Sequence, residues 1–277
     1  MQTQTTEIRM GKIKKKLYYR GENPNNLIQK SIAIVGSRQM TRYGREVVDK
    51  FVCDLVANGI TTISGFMYGV DTEVASKTLE YGGKHIAVFG CGMDHIYPPE
   101  NKKLYDQIIK GGGSVVSEYE DSAKPSIWKF PQRNKIVVDF ASIGILVVEA
   151  GIKSGSLVTA GLAKKAGKKV WAVPGPINSR VSVGCNELIK SGDAIMAISV
   201  ADIAKLQITN DKLQIKNTPD NLNQQELEIY KLLQLEPLEI DEIARKTGMR
   251  IEDTGTTLSI MGIKGLVTES GGKYFLV

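Results

Sequence analysis

From residue 31 to residue 175 the chain alternates short apolar runs with longer stretches whose apolar residues recur every three or four positions. The runs SIAIV (31–35), ITTIS (60–64), HIAVFG (85–90), SVVSE (114–118), IGILVVEA (143–150) and KVWAVPG (169–175) predict six strands. Val47, Val48, Phe51, Val52, Leu55 and Val56 share one face of a helix that Asn58-Gly59 stops. Further helices are predicted over 71–81, ended by Gly82-Gly83, over 101–110, ended by Gly111 to Gly113, and over 132–141 and 156–166. Strands that are apolar throughout, alternating with helices, imply a parallel sheet covered on both faces. Residues 31–205 are therefore expected to form an α/β domain with a Rossmann-like, doubly wound, mainly parallel sheet.

The pattern breaks at 206–221, a polar stretch read as a linker. Residues 222–277 follow a different rhythm: three helical stretches, then two short strand-like runs around Ser270-Gly271-Gly272. Three helices and a β-hairpin predict a winged-helix domain. Charge separates the parts further. Residues 1–20 hold six bases against one acid, so 1–30 are read as a basic N-terminal extension. Residues 222–277 hold six bases against nine acids, and the whole chain carries +6. A basic excess permits a polyanion partner, but an acidic winged helix is poorly suited to duplex DNA and is expected to contact protein instead.

Several function classes find no support. No apolar run approaches the ~20 residues of a membrane span, and no signal peptide is visible. Cys53, Cys91 and Cys185 are widely spaced, with no metal-like pairing or disulfide framework, which fits a reducing cytoplasm. Gly36 is the lone glycine before Arg38, so the dinucleotide fingerprint is missing, as is the P-loop. No nucleophile elbow appears, and His85 falls inside a strand. Glu149, at a strand end, reads as a structural carboxylate for backbone N–H groups, with a general base as the other possibility. No catalytic residue, metal or cofactor is assigned.

In an open parallel sheet ligands bind beyond the carboxyl ends of the strands. After the first strand stand Gly36, Ser37 and Arg38, where an arginine beside backbone N–H groups suits a phosphate. After the second stand Ser64 and Gly65, with Asp71 as a helix N-cap or a site carboxylate. After the fifth, Ser154, Gly155 and Ser156 open a helix, either as an anion site or as plain capping. Arg38, Lys129 and Arg133 supply positive charge, and Phe130 or Trp128 supplies a ring for a base unless these aromatics are core plugs. Cations for phosphates and rings for bases are how single-stranded nucleic acid is held without sequence readout.

These residues, with LYYRG, IAIVGSRQMTRYG, SGFMYGVD, IAVFGCGMDHIYPPEN, SEY, FPQRN, VVEAGIKSGSLVTAGLA, AVPGPINS and GCNELIKSGD in order, resemble the DNA-processing protein A family (DprA, or Smf) from about Leu17 onward. The resemblance implies a Rossmann-like protein that binds single-stranded DNA, protects incoming strands during natural transformation and helps load the RecA recombinase. It implies a homodimer through the Rossmann-like domain and no enzymatic activity. Gly36-Ser37-Arg38 matches the family's phosphate loop, and Phe130, Arg133 and Asn134 match its F-P-x-R-N block with Lys129 adjacent. On that match Lys129 and Arg133 meet phosphates, Phe130 meets a base or anchors its loop, and Asn134 fixes the loop backbone.

Some positions depart from the family. Tyr68 stands where the family commonly has arginine, Thr72 to Ala75 where it often has Ala-Ala-Ala-His, and Gly192-Asp193 where it usually has Gly-Ala. Many members also carry a helical N-terminal domain, which is absent here or lies outside this sequence. The competing reading is a nucleotide-processing enzyme of the phosphoribohydrolase type on a similar fold. Such enzymes carry P-G-G-x-G-T-x-x-E where this chain has SGSLVTA.

Overall fold

The computed structural model describes residues 2–10, 13–203, 222–233 and 237–276. The expected linker, 206–221, lies outside the described residues. The chain divides into two compact units, Met1–Leu213 and Gln214–Val277.

In the first unit the elements run β1 (Gln4–Met10), β2 (Ile13–Gly21), α1 (Pro24–Leu27), β3 (Ser31–Val35), α2 (Arg42–Ala57), β4 (Thr61–Ser64), α3 (Val70–Glu80), β5 (His85–Phe89) and α4 (Lys102–Lys110). They continue with β6 (Ser114–Ser117), α5 (Lys129–Phe140), β7 (Gly144–Val147), α6 (Gly155–Lys165), β8 (Val170–Ala172), α7 (Val183–Lys190) and β9 (Ile195–Met196). The strands form one sheet in the order β1-β2-β6-β5-β4-β3-β7-β8-β9, parallel from β6 to β9. This is the Rossmann-like arrangement that the alternation predicts. The order reverses between β3 and its neighbours β4 and β7, which opens a crevice beyond their carboxyl ends.

The parallel strands β3 to β8 are buried along their length because they feed cores on both faces of the sheet. On β3, Ala33 and Val35 pack with Ile136, Phe140 and Ala160 of α5 and α6, while Ile32 and Ile34 pack with Phe51, Leu55 and Val74 of α2 and α3. Burying side chains of this size stabilises by about 1.5–3 kcal/mol each.

The N-terminus differs from expectation. Within the supposed extension 1–30, β1 and β2 form a hairpin, and β2 pairs antiparallel with β6 from Tyr18↔Ser117 to Gly21↔Ser114. Leu17 and Tyr19 are buried. Arg20 fastens the hairpin through Thr3, at 2.7 Å, and through Asp94 and Asp121, at 2.7 and 3.1 Å. The lysines around Leu17 hide its strand character, since lysine is typical of exposed sheet edges.

The second unit holds α8 (Gln224–Leu233), β10 (Leu238–Glu239), α9 (Ile240–Thr247), α10 (Ile251–Ile263), β11 (Val267–Ser270) and β12 (Lys273–Leu276). It has its own core of Ile229, Leu233, Ile243, Leu258, Met261 and Val267. Gly248 ends α9 in the left-handed conformation, and Gly271-Gly272 turn the hairpin. This is a winged-helix domain. Among the described residues no helix is long and apolar enough to cross a membrane.

Candidate nucleic-acid interface

A cleft of about 740 Å³ opens at the carboxyl ends of the parallel strands. Ten of the twelve residues singled out in the sequence lie on its lining: Gly36, Ser37, Arg38, Gly65, Phe130, Arg133, Asn134, Ser154, Gly155 and Ser156. Segments far apart in the chain meet there because strand order, not sequence order, sets their neighbours.

The loop after β3 presses against the loop after β4. The Val70 N–H donates to the Ser37 carbonyl at 3.1 Å, and Gly69 has φ 73°. A Cβ on Gly69 would lie 2.3 Å from that carbonyl oxygen, so only glycine fits both the conformation and the contact. Arg38 is exposed, and its side chain makes no hydrogen bond or ion pair among the described residues. Ser154 caps α6 by accepting from the Ser156 N–H at 3.3 Å, and the two hydroxyls lie 2.6 Å apart.

Two expected site residues lie elsewhere. Ser64 is fully buried; its hydroxyl donates to the Asp71 carbonyl at 3.1 Å and sits 3.2 Å from His85 Nε2. The Lys129 ammonium donates to the Lys124 carbonyl at 2.8 Å and lies over the rings of Tyr119 and Trp128, 4.6 and 5.6 Å from their centroids. Trp128 is exposed but off the lining, so of these two rings Phe130 is the one that faces the cleft, which Tyr68 and Tyr97 also line.

Arg133 reaches the lining in an unexpected way. FPQRN belongs to the first turns of α5 and not to a loop. Arg133 is only 3% exposed. Its Nη1 donates to the carbonyls of Gly65 and Val88, at the ends of β4 and β5, and its Nε donates to Asn134 Oδ1 at 3.2 Å. A Cβ on Gly65 would lie 2.5 Å from Arg133 Nη2. Burial pulls Arg133 down to about 10, against the raising effect of nearby Asp71. Asp71 is pushed up to about 6 by burial, which Arg133 opposes. Asp71 is not the N-cap of α3, a place that Gly69 takes; its carboxylate instead accepts from the Met67 N–H at 3.2 Å. Arg133 is thus a brace under the cleft floor, and the expectation that it meets a phosphate gives way to a structural role. Asn134 orients Arg133 and does not hold a loop backbone.

The neighbouring polar groups are also committed. Glu149 is buried and accepts from both the N–H and the hydroxyl of Thr41, the N-cap of α2. His85 is buried and lowered to about 3 by that burial. Cys91 is raised to about 11 by burial.

The sequence reading missed two cations on the lining, Lys153 and Arg180. Both are exposed, and neither side chain has a hydrogen bond or ion pair among the described residues. Their signal was position: each follows the carboxyl end of a parallel strand, β7 or β8, as Arg38 follows β3. The site therefore joins small residues, three uncommitted cations and an aromatic wall.

Known proteins resemble this chain in sequence and fold. The family model of DNA recombination-mediator protein A matches residues 6–207, and that of the DprA winged helix domain matches residues 216–273. Protein Smf of Synechocystis sp. is 32% identical over 292 residues, covering 92% of this chain and 73% of that protein. The solved DNA processing protein A of Streptococcus pneumoniae is 38% identical with a TM-score of 0.63, over 68% of this chain and 65% of that one. A structure of DNA processing protein A from Helicobacter pylori, which concerns the single-stranded DNA binding mode of that protein, is 30% identical with a TM-score of 0.65, over 73% of this chain and 93% of that one. The chain belongs to the DNA recombination-mediator protein A family.

Proposed function

We propose that this chain is a single-stranded DNA-binding recombination mediator that holds its strand in the cleft beyond β3 and β7. The observation that carries this reading is the convergence of Arg38, Lys153 and Arg180, all exposed and without a hydrogen bond or ion pair among the described residues, on a cleft that Phe130 also lines. Cations take the phosphates and a ring takes a base, which favours a strand whose bases are already unstacked. The likeness to the Helicobacter pylori protein supports the same ligand. The protein acts by binding, not by catalysis, in the cytoplasm.

Membership of the family supports a role in loading a RecA recombinase onto the bound strand during natural transformation. It also supports pairing of two copies through the Rossmann-like unit. The pairing gains support from β9, the edge strand of the sheet among the described residues, on which Ile195 and Met196 are about half exposed.

Fluorescence anisotropy with labelled oligo-dT and its duplex, over a salt series, tests the reading on wild type and Arg38→Ala. Single strand is expected to bind more tightly, with log Kd changing by roughly 2 per decade of salt if three phosphates are neutralised. Arg38→Ala is expected to cost about 1.5–3 kcal/mol and to lower that slope by about 0.7. Equal binding of both DNAs, or an unaffected variant, removes the cleft as the DNA site. Release of adenine from AMP would favour the phosphoribohydrolase reading instead.

A further inference from the structure

The walls of the cleft are chemically divided. Strand order places β4 and β5 on one side of β3, and β7 and β8 on the other. Every aromatic residue on the lining belongs to the first side. Tyr68 follows β4, Tyr97 follows β5, and Phe130 packs against Gly90 at the end of β5, where an added Cβ would lie 2.8 Å from its ring. The exposed cations belong to the center and the second side, with Arg38 after β3, Lys153 after β7 and Arg180 after β8.

The rings form a continuous row. Centroids of Phe130 and Tyr97 are 5.7 Å apart, and those of Tyr97 and Tyr68 are 6.4 Å apart. Tyr68 is 40% exposed and Tyr97 37%, so both offer ring area to a ligand. The Tyr68 hydroxyl donates to the Glu100 carboxylate at 3.1 Å, which sets a negative charge at the far end of the row. A phosphate is repelled from that end; an uncharged base is not.

Resting on the reading that single-stranded DNA occupies this cleft, we propose that Tyr68 and Tyr97 continue the stacking surface begun by Phe130. Consecutive bases lie along the β4–β5 side while their phosphates follow Arg38, Lys153 and Arg180. The strand is held in one facing, and part of the affinity depends on bases and not on backbone charge. Tyr68 is then a binding residue of this chain in its own right.

The test uses the full chain as wild type, Tyr68→Ala and Tyr68→Phe, with oligo-dT and an abasic deoxyribose-phosphate oligomer of equal length. Tyr68→Ala is expected to weaken oligo-dT binding by about 5- to 150-fold, the range for losing one base–aromatic stack. It should leave abasic binding unchanged, and Tyr68→Phe should retain wild-type affinity for oligo-dT. An equal loss on both oligomers, a loss as large in Tyr68→Phe, or no loss on oligo-dT in a chain that still prefers single strand, overturns the proposal and leaves the cleft assignment standing. Wild type that binds neither oligomer overturns the cleft assignment as well.

Discussion

Arg133 and Arg38 lie on the same cleft yet should fail in opposite ways when replaced. Arg133→Met keeps the length and apolar stem of the side chain and removes its charge and donors. Two buried carbonyls, of Gly65 and Val88, then lose their partner. Each unsatisfied group costs about 1–3 kcal/mol. Asp71 loses its nearby cation, but burial already holds it at about 6. Without Arg133 it rises further and takes up a proton near neutral pH, which caps the electrostatic loss at about 1–2 kcal/mol. These effects share one network and do not simply add, so about 4 kcal/mol is expected. For a unit of this size that lowers Tm by roughly 8–16 °C. Arg38→Ala removes an exposed side chain that makes no hydrogen bond or ion pair among the described residues and should stay within about 0.5 kcal/mol of wild type. Thermal melts beside anisotropy titrations separate the two roles. If Arg133→Met melts with wild type while losing oligo-dT binding as Arg38→Ala does, Arg133 is a phosphate ligand and the brace is wrong.

Buried Asp71 and His85 oppose each other in acid. His85, lowered to about 3, excludes a proton that the unfolded chain accepts near 6.5, so its contribution is lost as pH falls below that value. Asp71, raised to about 6, binds a proton in the folded chain before the unfolded chain does, so its contribution grows as pH falls from 6 towards 3.8. Asp71→Asn removes this offset, and urea midpoints should show it losing about 1.4 kcal/mol per pH unit relative to wild type between pH 6 and 4; a difference independent of pH would refute the assignment. In the winged helix, Arg250 is paired with Asp253 at 2.9 Å and Lys264 with Glu226 at 2.7 Å, at the two ends of α10, where duplex DNA would be read. Residues 222–277, which have their own core, should therefore bind duplex more weakly than the ~100 μM upper end of non-specific binding, and micromolar, salt-sensitive binding would contradict this.

The parallel sheet was legible because β3 to β8 are buried on both faces, and unbroken apolar runs such as IGILVVEA have few other homes. The β1–β2 hairpin was not. It lies at the sheet edge, where lysines are tolerated, and its inward-facing Leu17 and Tyr19, with Tyr18 packed on the opposite face, sit beside a run of lysines. The strand-end rule located Gly36 to Arg38 and Ser154 to Ser156 because it depends on topology alone. It could not separate Arg133 from Lys129, four residues away. Which of two cations turns under a sheet depends on where α5 crosses it, and the chain carries no local mark of that crossing.

The burial of Arg133 also changes where the field of the cleft originates. Its charge is directed into the carbonyls of Gly65 and Val88 and towards Asp71, so little is left for a ligand. Lys129 is likewise turned away, onto Lys124 and two rings. Among the described residues on the lining, the proposed attraction for a polyanion then falls to Arg38, Lys153 and Arg180, which stand at the ends of β3, β7 and β8. These three side chains are exposed, so salt screens them readily. The aromatic row is not screened in this way. Binding that outlasts the loss of the phosphate contacts at high salt is therefore expected to rest on the rings, and the salt series reads out the division between the two walls.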